Sequence, residues 1–278
     1  MLPSITLFGT ITIGLYGSIF IAAFLVAIFV ARNIRNHESP SKTHIIQSAM
    51  YALIGMAIGM KLLFFITKLP KFITGFGKLY EKADGDWSLI LPVSGNYLFG
   101  GNVFYGGLIG ACLGIYIYCR QFKVKLAPLA DIYAVMIPFV HGFGRIGCFC
   151  AGCCYGREYH GPLAIHFPYN KYIPELSEVS RFPTQLTEAF VNFIMFGLLL
   201  YLYKKSKLKT GRLIGVYICY YAVFRFIMEF LRGDVVRGGI GLITTSQIVS
   251  IILLPLGILV LTGRIFKHNP SITVNGED

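Results

Sequence analysis

Charged residues are scarce in this 278-residue chain: Asp, Glu, Lys and Arg make up 14% of it, against about 25% in soluble globular domains. That shortage excludes an ordinary water-facing surface. Acid is scarcer still, with 13 Asp and Glu against 25 Lys and Arg, a net charge of +12. Internal repetition is missing: neither half echoes the other in its Gly, Pro or charge pattern, which counts against repeat-built transporters. No basic stretch precedes the first apolar run and no small-residue cleavage pattern follows it. The run is therefore expected to stay as a span and not to be removed as a secretory signal.

What the chain has instead is long uncharged apolar runs. ITIGLYGSIFIAAFLVAIFVA (11–31) and GGIGLITTSQIVSIILLPLGILVLTG (238–263) are the clearest. About 20 helical residues cross a hydrocarbon core of about 30 Å. The fold class expected is an all-α polytopic membrane protein of about seven spans, near 11–31, 45–67, 103–119, 126–146, 184–203, 213–231 and 245–263. One integral domain, 1–278, accounts for these spans. It carries outer loops at about 68–102 and 147–183 and a solvated tail at about 267–278.

Charge sets the orientation. Arg32, Arg35, Lys42, Arg120, Lys123, Lys125, Lys204, Lys205, Lys207, Lys209, Arg212, Arg264 and Lys267 fall on one side of such a bundle, with Glu38 as the acid among those loops. The positive-inside rule gives an outer N-terminus and a cytoplasmic C-terminus. Most of the excess charge is thus a topology signal that meets anionic lipid head groups, and nucleic acid is not an expected partner.

Ionisable groups inside spans cost about 2.5–3.5 kcal/mol each on insertion scales, so their positions carry information. With this orientation, Lys61, Arg145, Arg225, Glu229, Glu188, Tyr16 and Tyr105 all fall toward the outer ends of their spans. Tyr221, Arg225 and Glu229 are spaced i, i+4, i+8 on one helix face. A self-neutralising Arg225–Glu229 pair and outward-snorkelling Arg145 and Lys61 would explain each alone. Together, three cations exceed the two nearby carboxylates and leave room for an anion. In an outer leaflet that anion is a phospholipid phosphate, which arginine grips bidentately.

These residues resemble the prolipoprotein diacylglyceryl transferase family, bacterial seven-span enzymes, over nearly the whole chain. LYGSIF (15–20), GMAIGMKLLFF (55–65), FYGGLIG (104–110), GRIG (144–147) with GCCYGR (152–157), FPTQLTE (182–188), YAVFRFIMEFLR (221–232) and TTSQIVS (244–250) carry the likeness. It implies transfer of a diacylglyceryl group from phosphatidylglycerol to the lipobox cysteine thiol of a preprolipoprotein, at the outer leaflet of the bacterial cytoplasmic membrane and without a cofactor. The resemblance makes Arg145 the phosphate contact, Arg225 the second cation and Glu229 its orienting partner. Lys61 stands where the family usually has arginine. Tyr16 and Tyr221 become hydrogen-bonding positioners. Gly106 and Gly107 would let backbone approach the head group, and Gly147 and Gly156 belong to the signature.

The sequence departs from the family pattern at three places. Tyr105 stands where the family has histidine, and Cys148 and Cys153 stand for its asparagine and glutamate. A phenol with a pKa near 10 is a poor base at neutral pH, which leaves His141, four residues before Arg145, as the nearest replacement. Within GRIGCFCAGCCYG (144–156), Cys148, Cys150, Cys153 and Cys154 admit four readings. They could pack a turn, form a disulfide of Cys148 or Cys150 with Cys153, bind a metal completed by His141 or His160, or supply a thiolate activated by Arg145. The alternative function is accordingly a divergent paralogue, a thiol-redox or metal-handling membrane protein.

Overall fold

The structure is a computed structural model that describes residues 4–7, 11–34, 39–169, 176–205, 208–233, 239–240 and 243–265. The tail expected at 267–278 lies outside these residues. Packing divides the chain into two compact units, residues 41–126 and residues 1–40 with 127–278.

In the first unit, α2 (Lys42–Lys82) packs on α4 (Phe104–Gln121), and α3 (Trp87–Phe99) joins them. Ser41 caps α2 by accepting from His44 N at 3.3 Å. Glycine explains the α2–α4 contact. A Cβ at Gly55 would strike the Gly110 carbonyl, and one at Gly59 the Gly106 carbonyl. Residues without side chains thus let the two backbones touch, as at other small-residue seams in lipid. Beside that seam, Ile54, Ile58, Leu62 and Ile66 form an exposed stripe at four-residue steps, a surface that suits acyl chains and not water.

The region expected as a loop at 68–102 is mostly helical. α2 continues through Pro70 for 41 residues in all, then α3 and α4 follow with a 72° bend between them. Pro70 is exposed, so its missing N–H and the carbonyl it leaves unpaired lie on the outer face, where the interruption disturbs no packing.

In the second unit, α1 (Leu15–Ile34) follows a hairpin of β1 (Ser4–Leu7) and β2 (Ile11–Gly14). The first span therefore begins at residue 15 and not 11. α5 (Leu126–Ala151), α6 (Thr184–Lys205), α7 (Leu213–Glu229) and α8 (Thr245–Leu261) complete the unit, with a short hairpin of β3 (Gly239–Ile240) and β4 (Ile243–Thr244) ahead of α8. Asp131, which hydropathy alone would resist inside α5, accepts from Gly211 N at 2.6 Å and Ile214 N at 3.2 Å. Its carboxylate thereby satisfies free amides at the start of α7.

Four described helices, α1, α2, α5 and α6, are long and apolar enough to cross a membrane, and the bent α3–α4 pair makes five. α8 is apolar but has 17 residues, as does α7, which gives each about 26 Å at 1.5 Å per residue. The chain is a polytopic helical membrane protein.

Candidate active site

Glu188 stands at the centre of the second unit's charges. It lies in the second turn of α6 and is 1% exposed. Arg145 Nε of α5 is 2.8 Å from its Oε2, Arg232 Nη1 is 3.4 Å from its Oε1, and Arg225 Nη1 of α7 is 3.9 Å from the same oxygen. Arg225 Nη2 also reaches Glu229 Oε2 at 2.6 Å and donates to Ser246 Oγ at 2.9 Å. Three guanidinium groups therefore meet two carboxylates in a buried place, an excess of one positive charge. Arg225 Nη1 is buried and makes no hydrogen bond. A buried cation with an unused donor is a site for an anion.

His141 sits one turn before Arg145 and its Nε2 accepts from Arg145 Nε at 3.3 Å. Its ring also lies against Tyr221, centroids 5.8 Å apart, and Tyr221 stacks on Tyr217. A neutral imidazole has one acceptor nitrogen. That nitrogen faces the Arg145 guanidinium, whose Nε–H it shares with Glu188 Oε2, so His141 helps to position the arginine.

The cysteine-rich segment begins on the end of α5, which carries Cys148 and Cys150. The helix runs through Ala151, five residues past its expected end and past Arg145. Gly152, at φ 73°, then closes it. Gly152 N donates to Phe149 O at 3.2 Å and Cys153 N to Cys148 O at 3.2 Å. These are the two hydrogen bonds of a Schellman stop, which folds the residue after glycine back over the last turn. Cys153 is thereby returned to Cys148.

Cys154, at φ 62°, continues the reversal. The sulfurs of Cys148, Cys153 and Cys154 lie within 4.8 Å of one another. Thr184 Oγ1 donates to Cys154 O and Gln185 Nε2 to Cys153 O, each at 2.9 Å. Hydrogen bonds from the thiols of Cys148 and Cys153, with the Arg232 and Arg145 guanidiniums beyond them, hold Cys154 well below the ordinary thiol range.

No disulfide joins the described cysteines in this structure. Cys150 stands outside the sulfur triad, and so do His141 and His160. His160 pairs with Glu158 at 2.9 Å in an exposed position.

After the triad the chain is held by short bridges. Gly156 pairs with Arg232, and Arg181 with both Glu158 and Ile165. A Cβ at Gly156 would strike the Phe182 carbonyl, and one at Gly147 would lie 2.9 Å from Tyr16 Cδ2. Both glycines therefore permit close approach of neighbouring chain. Tyr155, Phe167 and Leu176 form a small apolar core under this segment.

The model of the prolipoprotein diacylglyceryl transferase family matches residues 3–262. The chain belongs to the prolipoprotein diacylglyceryl transferase family. Among its relatives, the phosphatidylglycerol–prolipoprotein diacylglyceryl transferase of Clostridium tetani is 32% identical over 245 residues, 88% of this chain and 90% of that protein. A second Clostridium protein, diacylglyceryl transferase 2 of Clostridium perfringens, is 35% identical over 212 residues, 76% of this chain and 75% of its own length. The Rickettsia felis transferase is 30% identical over 262 residues, 92% of this chain and 93% of its own.

Four residues singled out by the family resemblance belong to the first unit. Tyr105, near the start of α4, packs edge-on to Phe104 at 5.9 Å. Gly106 and Gly107 are buried against α2: a Cβ at Gly106 would meet Leu63 Cβ at 2.6 Å, and one at Gly107 would meet Met60 Cγ at 2.6 Å. Their missing side chains admit a neighbouring helix. Lys61 donates to Phe99 O at 2.7 Å and Gly101 O at 3.3 Å. Its ammonium therefore serves the carbonyls at the α3–α4 bend, as a cation does at a helix C-terminus. Within the second unit, the third cation around Glu188 is Arg232.

Arg232 is the residue missing from the sequence-derived site, where Glu188 already counts as one of the two nearby carboxylates. Arg232 lies just past the end of α7, where the chain pairs with Gly156, and its signal in the sequence is a further arginine soon after Arg225 and Glu229.

Proposed function

We propose that this protein transfers the diacylglyceryl group of phosphatidylglycerol to the lipobox cysteine thiol of a preprolipoprotein. The acceptor sulfur bonds to the glycerol carbon, the C–O bond to phosphate breaks, and glycerol phosphate departs with the electron pair. The observation that carries this reading is the excess of guanidinium over carboxylate around buried Glu188. Charge that develops on the departing phosphate meets donors already in place, and such preorganisation is worth most where water is excluded. Arg145 and Arg225 contact the phosphate, Glu188 and Glu229 hold them, and His141 fixes the Arg145 plane. Tyr16 and Tyr221 line the approach.

The membrane arrangement follows the same reading. α1, α2, the bent α3–α4 pair, α5, α6, α7 and α8 make seven crossings, with the N-terminus outside. Basic residues sit at the ends of α1, α4 and α6, the loops that the positive-inside rule assigns to the cytoplasm. The site then opens to the outer leaflet of a bacterial cytoplasmic membrane, where phosphatidylglycerol and an exported preprolipoprotein meet.

The test is direct. Detergent-purified protein, given phosphatidylglycerol and a lipobox peptide, should yield a diacylglyceryl thioether on the peptide and release glycerol phosphate. Folded protein that forms no such product with either phosphatidylglycerol or another anionic phospholipid would refute the reading.

A further inference from the structure

The transfer needs a thiolate, yet the usual devices for making one are occupied or absent here. His141 turns its acceptor nitrogen to the Arg145 guanidinium. What the site does hold is a triad of sulfurs, those of Cys148, Cys153 and Cys154, all within 4.8 Å of one another. No fourth His, Cys, Asp or Glu atom joins them among the described residues.

From this geometry we infer that Cys148, Cys153 and Cys154 bind one Zn2+ ion whose fourth position takes the acceptor cysteine thiol. The part played in transfer rests on the function proposed above.

Three observations support the site. Zinc takes thiolate ligands at about 2.3 Å in tetrahedral geometry, so its ligand sulfurs lie about 3.8 Å apart, a spacing that a cluster within 4.8 Å reaches by small side-chain rotations. The backbone is built to hold the sulfurs in place: the Schellman stop returns Cys153 to Cys148, and Thr184 and Gln185 pin the carbonyls of Cys154 and Cys153. Cys148 is buried while Cys153 and Cys154 are half-buried, so the triad has one closed side and one open side. Three protein ligands with an open position are the pattern of catalytic zinc.

The site removes the need for a general base. A thiol that coordinates zinc gives up its proton, here to water. The zinc-held thiolate then attacks the glycerol carbon as the C–O bond breaks, glycerol phosphate leaves, and the neutral thioether, a weak ligand, dissociates. No oxidant or reductant takes part.

The experiment uses the full-length protein purified in detergent without chelator. Elemental analysis should find one zinc per chain. Cys148→Ser, Cys153→Ser and Cys154→Ser should each lose most of it, whereas Cys150→Ser keeps it, with helicity and monodispersity confirming the fold of every variant. The Co2+-substituted protein should show sulfur-to-cobalt charge-transfer absorption that changes when the lipobox peptide is added, and not when its cysteine is serine. Stripping zinc should slow transfer by about 10²-fold or more, the share that proton removal commonly contributes, and added zinc should restore it.

Zinc-free wild type, a disulfide within the triad by mass spectrometry, or zinc that survives Cys153→Ser would overturn the site. Transfer that proceeds unchanged without zinc would overturn its role. Zinc bound, with the peptide thiol shifting the cobalt spectrum but no thioether formed, would uphold the site and count against the transferase reading instead.

Discussion

Arg145 Nε and Glu188 Oε2 lie 2.8 Å apart, on different helices and largely buried. Glu188 is shared by Arg145, Arg225 and Arg232, so it anchors the cations whose excess charge makes the anion site. Its position explains why a carboxylate is placed in an apolar run at such cost.

Glu188→Gln should therefore destabilise the protein as well as inactivate it. Breaking one side of a buried ion pair costs about 3–5 kcal/mol, and here three cations lose a common partner. Thermal unfolding followed by helical circular dichroism should show a clear drop in melting temperature, smaller for Glu188→Asp. An unchanged melting temperature in Glu188→Gln would show that Glu188 is not the anchor.

Arg225→Lys tests geometry apart from charge. The guanidinium reaches Glu229 and Ser246 through Nη2 and leaves Nη1 unbonded. A lysine keeps the charge but lacks the planar fork. Loss of one preorganised donor costs about 10²-fold or more in kcat, so kcat should fall by that order with KM for phosphatidylglycerol little changed. A rise in KM alone would assign Arg225 to ground-state binding.

Gly110→Ala and Gly197→Ala form a matched pair. A Cβ at Gly110 would strike the Gly55 carbonyl, whereas a Cβ at Gly197 meets nothing within 4 Å. Overpacking of a tight seam costs about 1–3 kcal/mol. Gly110→Ala should lower the melting temperature, and Gly197→Ala should leave it unchanged or raise it, since alanine favours helix.

Thr184→Val removes the hydroxyl that donates to Cys154 O. An unsatisfied buried carbonyl costs about 1–3 kcal/mol, and the turn that carries Cys153 and Cys154 should loosen. In zinc-stripped protein, both thiols should react faster with a maleimide than in wild type, while Cys119, buried on α4, should not change.

Much of this architecture was legible in the sequence because lipid makes a simple demand: uncharged runs of helix length. Boundaries were less legible. Pro70 reads as the end of a span, yet α2 passes through it because an exposed proline loses a hydrogen bond that packing does not need. The end of α5 was misplaced at 146: the helix runs to Ala151, where Gly152 closes it in a Schellman stop that brings Cys153 back to Cys148.

Arg145, Arg225 and Glu229 were found from charge in apolar context. Lys61 carries the same signal but serves backbone carbonyls, because hydropathy gives depth along a helix and not the direction a side chain takes. Gly106 and Gly107 were matched by motif, and whether a glycine admits a lipid or a helix depends on partners far away in sequence.

The most direct measurement of the central claim is the release of glycerol phosphate from phosphatidylglycerol, followed with and without the lipobox peptide, in wild type, Arg145→Gln and Arg225→Gln of verified fold. The account predicts release by wild type in step with thioether formation and only when the peptide carries its cysteine. It also predicts a fall of about 10²-fold or more in either variant. Release at the wild-type rate by folded Arg145→Gln and Arg225→Gln would contradict it.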